Sequence, residues 1–129
     1  MEYADGGDLL KLIQQRKKTK KLFTEEEIWR VLLSIAHGLA YLHQQSILHR
    51  DIKSENIFIC ENRYKIGDMN VSKVKKNDLQ QTQTGTPYYA SPEVWDDQPY
   101  DEKCDIWSLG CVLYEMATYQ PPFKAKSMQ

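Results

Sequence analysis

At 129 residues the chain has the length of one domain, and a domain of that size buries roughly two-thirds of the surface its unfolded chain exposes. With 41% apolar and 27% charged residues it is neither disordered, collagenous nor a coiled coil, and 17 Lys plus Arg against 18 Asp plus Glu give a net charge of −1, too small to recruit nucleic acid or an anionic membrane. No unbroken apolar run exceeds four residues, so no transmembrane or signal segment is expected; Cys60, Cys104 and Cys111 lack metal-ligand spacing and read as reduced thiols of a cytoplasmic protein.

In chain order, Asp8 ahead of Leu9, Leu10, Leu12 and Ile13 predicts a short helix with Asp8 as N-cap, followed by a basic run from Arg16 to Lys21 that reads as a solvated loop. Thr24 followed by Glu25, Glu26 and Glu27 is a capping box, and Ile28, Leu32, Ile35, Leu39 and Leu42 recur at helical spacing, predicting a long helix that ends near His43. Ile57 to Cys60 and Tyr64 to Gly67 read as two strands joined by Glu61, Asn62 and Arg63. From Asp68 to Pro99 the pattern loses its period, and so long an irregular segment in a compact domain is functional or disordered. Asp105 opens another periodic stretch through Leu109, Val112, Leu113 and Met116, stopped by Pro121 and Pro122. The expected fold class is mainly α with a small β-hairpin.

The segment His49-Arg50-Asp51-Ile52-Lys53-Ser54-Glu55-Asn56 places a carboxylate, an ammonium and a carboxamide in one loop, and Asp68 follows the hairpin twelve residues after Asn56. Phosphoryl transfer needs such parts: a carboxylate to orient the attacking hydroxyl, oxygen ligands for Mg²⁺ and a cation near the moving phosphate. Asp51, then Asn56 with Asp68, then Lys53 fit those needs. Alone, either His49-Arg50-Asp51 or Asp68 would be a chance tripeptide or a turn carboxylate.

Together with GTPYYASPE from Gly85 to Glu93 and DIWSLG from Asp105 to Gly110, in this order, the loop resembles the C-terminal lobe of the eukaryotic protein kinase family. Lys53 within the loop, and Gly85-Thr86 before the SPE triplet, are similar to serine/threonine kinases. The wording SENIF, GTPYYASPE and CDIWSLGCVLYEM is most similar to the NIMA-related (NEK) kinases. The resemblance implies a C-lobe portion of the protein-kinase-like α+β fold, residues 1–129 being a partial kinase domain. It also implies ATP and Mg²⁺ as cofactors, a protein substrate bearing Ser or Thr, no nucleic acid or membrane partner, and a cytoplasmic location with cytoskeleton, centrosome or cilium by family.

Residue by residue, the resemblance makes Asp51 the catalytic carboxylate and gives Lys53 the transferred phosphate, with Thr86 bridging them. Asn56 and Asp68 would hold two Mg²⁺. Met1 would be the gatekeeper and Glu2 to Ala4 the hinge that meets the adenine, with Phe58 beneath it; ordinary core is an equally open role for Phe58. His49 and Met69 would belong to a packed column, and Glu93 would pair with an Arg for which this chain offers no candidate. Asp105 would tie its helix to the catalytic loop, although a plain N-cap reading fits as well. Arg50 would receive a phosphorylated Thr82 or Thr84, Thr82 being the position that matches the NEK-like site. The alternative for this polar segment is a simple solvated loop.

Two departures stand out. Asp68-Met69-Asn70 replaces the family's DFG, with Asn tolerating left-handed backbone next best after Gly and Met keeping an apolar plug, so the variant reads as tolerated. Nothing resembles the Gly-rich loop, the VAIK lysine or its Glu partner, and the helices that follow the PPF segment in the family are missing, so this stretch alone is expected to lack activity. A truncated kinase or pseudokinase acting as a binding module is the alternative reading.

Overall fold

A computed structural model describes residues 5–61, 63–67, 73–74 and 88–123. Helix α1, Leu9–Thr19, begins at Asp8, whose carboxylate accepts the Lys11 N–H at 2.9 Å, as the sequence predicts. The basic run departs from expectation. Its first four residues, Arg16 to Thr19, complete α1, and the chain turns only at Lys20, which takes φ 54°. Long unbranched cations are good helix formers and favour the carbonyl end of a helix, so the last turn holds Arg16, Lys17 and Lys18.

Helix α2, Glu25–Gln44, starts with the predicted reciprocal cap: Glu27 N–H donates to Thr24 Oγ1 at 3.2 Å, and Thr24 N–H donates to Glu27 Oε2 at 2.8 Å. Arg16 of α1 reaches across to pair with the same Glu27 carboxylate. Burial raises the Glu27 carboxyl, but hydrogen bonds from Thr24 and Arg16 and the Arg16 charge outweigh it and hold the group below its ordinary 4.5. A depressed folded-state value stabilises the protein above the unfolded value and is lost as pH falls. Glu27→Gln is therefore expected to cost about 1 kcal/mol at neutral pH, with the gap from wild type closing below pH 4.5, as thermal unfolding at two pH values would read.

Strand β1, Ile47–Leu48, pairs antiparallel with β4, Lys73–Val74, a ladder the sequence did not announce because two-residue strands carry no period. The expected hairpin is present as β2, Ile57–Cys60, and β3, Arg63–Ile66, in the register Ile57↔Ile66 to Cys60↔Arg63. It closes one residue earlier than expected, through a two-residue connection in which Glu61 adopts φ 46°, the sign that tight hairpins demand. Segment 5–8 lies along β2: Gly6 N–H donates to Ile59 O at 3.0 Å, Ile59 N–H donates to Gly7 O at 2.9 Å, and Asp8 bridges Phe58.

Within the unpatterned stretch, Pro92–Trp95 forms a short helix, α3. Helix α4, Lys103–Thr118, starts two residues before Asp105 and ends at Tyr119, φ 60°, ahead of the two prolines. Asp105 is thus not the N-cap; Asp101 Oδ1 accepts the Lys103 N–H at 2.8 Å instead. The core joins Leu9 and Ile13 of α1, Val31, Ile35 and Leu39 of α2, and Leu109, Val112 and Met116 of α4, with Ile52 and Ile57 between them. Each such side chain contributes about 1.5–3 kcal/mol of burial. All three cysteines are free and buried, and burial followed by the Asp105 charge pushes the Cys104 thiol up to about 12, leaving it inert near neutrality. Among the described residues no helix is long and apolar enough to cross a membrane.

Candidate active site

Between β1 and the 3-10 turn at Ser54–Asn56, the loop 49–53 lies against the first turns of α4. The join is Asp105, 1% exposed, whose carboxylate takes three nitrogen donors and, weakly, the Cys104 thiol at 4.0 Å. Oδ1 accepts the Arg50 N–H at 2.8 Å, while Oδ2 accepts the His49 N–H at 3.0 Å and His43 Nε2–H, from the end of α2, at 2.8 Å. A carboxylate only accepts, so His43 carries its proton on Nε2. Arg50 sits at φ 67°, unusual for a side chain with Cβ, and the Asp105 bond holds it there.

His49 is fully buried and its tautomer follows from its neighbours. The Asp51 N–H can only donate, so Nδ1, at 3.3 Å, accepts; the proton is then on Nε2, which donates to Gly67 O at 3.2 Å. The ring links the catalytic-loop candidate to the end of β3. Gly67 N–H in turn donates to Asn56 O at 2.9 Å, which sets the residue before Asp68 beside Asn56. A Cβ at Gly67 would lie 2.4 Å from Phe58 Cε2, so any side chain there would displace the Phe58 ring.

Three of the expected catalytic groups meet. Lys53 Nζ lies 2.9 Å from Asp51 Oδ2, and Asn56 Nδ2 donates to both Asp51 O and Asp51 Oδ2 at 2.8 Å. Asp51 and Lys53 are each about one-third exposed, so solvent reaches the pair. The Lys53 ammonium and the Asn56 amide both meet the same carboxylate oxygen, Oδ2, and together orient the group. With Nδ2 committed to Asp51, Oδ1 is the atom Asn56 can offer a cation, a hard oxygen of the kind Mg²⁺ takes.

Arg50 stacks its guanidinium over Tyr100, 5.5 Å from the ring centroid, and its Nε is buried with no hydrogen-bond partner among the described residues. Glu93, in α3, forms no ion pair among those residues and lines an open depression of about 430 Å³ with Pro99, Tyr100 and Asp101. Phe58 is half-buried, its ring over Gly67. Met1, Glu2, Ala4, Asp68, Met69, Asn70, Thr82, Thr84 and Thr86 lie outside the described residues.

Sequence reasoning missed a second polar group beside the loop. Tyr89 donates its hydroxyl proton to Glu115 Oε2 at 2.7 Å, and the Tyr89 hydroxyl oxygen itself lies 3.1 Å from Ser54 Oγ. Burial first, and then the hydrogen bond to Glu115 and the Glu115 charge, push the Tyr89 hydroxyl well above its ordinary value, outweighing the opposing hydrogen bond from Ser54. The available signal was Glu115 itself, a carboxylate three residues from Val112 on the apolar phase of α4. His43 was legible only as a last-turn residue.

The protein kinase domain family matches residues 1–129 in full. Over 133 residues the chain is 46% identical to human serine/threonine-protein kinase Nek5, covering 100% of this chain and 18% of that protein. Mouse serine/threonine-protein kinase Nek3 is 45% identical over 98% of the chain, which spans 25% of it. Human serine/threonine-protein kinase Nek11 is 46% identical over 95% of the chain and 19% of its own length. The chain therefore spans a quarter or less of these relatives. Its mainly helical architecture, with a carboxylate, ammonium and amide gathered on one loop, is that of a partial kinase domain, and the chain belongs to the protein kinase family, among serine/threonine kinases of the Nek type.

Proposed function

We propose that residues 1–129 supply the catalytic lobe of an ATP- and Mg²⁺-dependent kinase that phosphorylates Ser or Thr hydroxyls of proteins, with the other wall of its nucleotide site built from further residues. The observation that carries this reading is the convergence of Asp51, Lys53 and Asn56 within hydrogen-bonding distance on a loop clamped by Asp105. The substrate hydroxyl oxygen bonds to the γ-phosphorus as the bridge to the β-phosphate breaks, and its proton passes to Asp51. Lys53 offsets the charge on the transferred group. Asn56 Oδ1 with Asp68 would hold Mg²⁺, which would supply positive charge against the ATP phosphates. Thr86 would bridge Asp51 and Lys53, while Met1, Glu2, Ala4 and Phe58 would frame the adenine.

The three free, buried cysteines support a reducing compartment, the cytoplasm. The test is transfer of labelled γ-phosphate to a generic protein by the longest natural form that contains this chain. Label on Ser or Thr after acid hydrolysis is expected; no transfer, or label confined to Tyr, overturns the proposal.

Arg50 supports a regulatory reading as well, because its buried Nε has no described partner and an anion can supply one. A phosphate on Thr82 would pair with the Arg50 guanidinium. Thr82→Ala, with Thr84 intact, is expected to lower specific activity several-fold while leaving the unfolding temperature near that of wild type; full activity would refute the role.

A further inference from the structure

Three buried or half-buried side chains from separate parts of the fold meet on one line of hydrogen bonds. Glu115 projects from α4 and is 8% exposed. Tyr89 stands just ahead of α3, and Ser54, fully buried, opens the 3-10 turn that ends at Asn56. The Tyr89 hydroxyl has one proton and gives it to Glu115 Oε2, so toward Ser54 it acts as acceptor and the Ser54 hydroxyl donates. The order is fixed: Ser54 to Tyr89 to Glu115. Tyr89 is also held at its backbone, where its carbonyl accepts from Ser108 Oγ of α4 at 2.8 Å. Two points on α4, a turn apart or more, therefore fix both ends of this residue.

We infer that Tyr89 and Ser54 are positioning residues for phosphoryl transfer, holding the 3-10 turn, and with it Lys53 and Asn56, at a set distance from α4. The inference rests on the kinase reading above. Its physical ground is that the turn is gripped from two sides. Asp51 holds Asn56 through the amide, and the Asn56 N–H closes on Lys53 O at 3.0 Å. Ser54 lies between those two functional residues, and its side chain is tied to the rigid α4 through Tyr89 alone among the described residues. Without the hydroxyl on either partner, the turn keeps its hydrophobic surroundings and loses its tether. A displacement well under 1 Å at Lys53 or Asn56 matters, because rates fall steeply when reacting groups leave their attack geometry.

The test uses the longest natural form that contains the chain, as wild type, Tyr89→Phe, Ser54→Ala and the double variant. Steady-state kinetics and backbone amide exchange are measured on each. Expected is a fall of about 10-fold in kcat for each single variant, with KM for ATP within about twofold of wild type. The double variant should be no slower than the slower single one, since both break the same line. Exchange should rise at 54–57 and stay level in α2. Unchanged kcat in both single variants, additive losses, or exchange rising equally through α2 and α4 would each overturn the inference, the last by showing a general loss of stability. Should Tyr89→Phe fail to fold, Ser54→Ala carries the test. If the wild type transfers no phosphate, the kinase reading falls, and the exchange measurement alone then decides whether the tether exists.

Discussion

Asp51→Asn is expected to lower phosphoryl transfer by about 10²- to 10⁴-fold, the range for losing a proton-accepting group. The fold should survive. The Asn56 amide still donates to the backbone carbonyl of residue 51 at 2.8 Å, and the lost partner of Lys53 belonged to a solvent-reached pair. Such pairs contribute about 1 kcal/mol or less. The expected signature is a large fall in kcat with KM for ATP and the unfolding temperature close to wild type. Equal labelling of substrate by both proteins would remove Asp51 from the chemistry.

Asp105→Asn should have the largest effect on stability. Three nitrogen donors converge on the carboxylate, and an amide presents one accepting oxygen and a second donor in place of the other. At least one of the His43 Nε2–H, His49 N–H and Arg50 N–H groups then loses its acceptor, at roughly 1–3 kcal/mol for each buried group left unpaired. Activity should fall further than stability, because Arg50 is held at φ 67° by this bond and Asp51 follows it directly. Asp101→Asn is the control: its carboxylate accepts one backbone N–H at the exposed start of α4, and the change should cost about 1 kcal/mol or less. Equal shifts of the urea midpoint in the two variants would refute the special standing of Asp105.

The elements with strong periodicity were legible. Capping residues mark the starts of α1 and α2, and apolar spacing marks α2, α4 and the hairpin. The short pieces were not: β1, β4 and α3 are too brief to show a period, and they exist because tertiary contacts hold them. The Arg16 to Lys21 run misled because charge was read as solvation, whereas charge at a helix C-terminus also stabilises the helix. Asp51, Lys53 and Asn56 were legible as a group because six residues of sequence contain all three, and short spacing limits how far they can separate. Asp105 was legible as important but not as a hub. Its partner His43 lies 62 positions away and Tyr89 lies 26 from Glu115, distances that only folding closes.

The bridge of segment 5–8 to β2 has a mechanical consequence. Asp8 caps α1 and at the same residue pairs with Phe58, while Gly6 and Gly7 both bond Ile59. A pull along this segment loads both hydrogen bonds to Ile59 at once and passes through Asp8 into the helix and the hairpin together. The segment would resist as a parallel pair of springs, and the force would arrive at Phe58 and, through the ring it lays on Gly67, at the strand end that leads to Asp68.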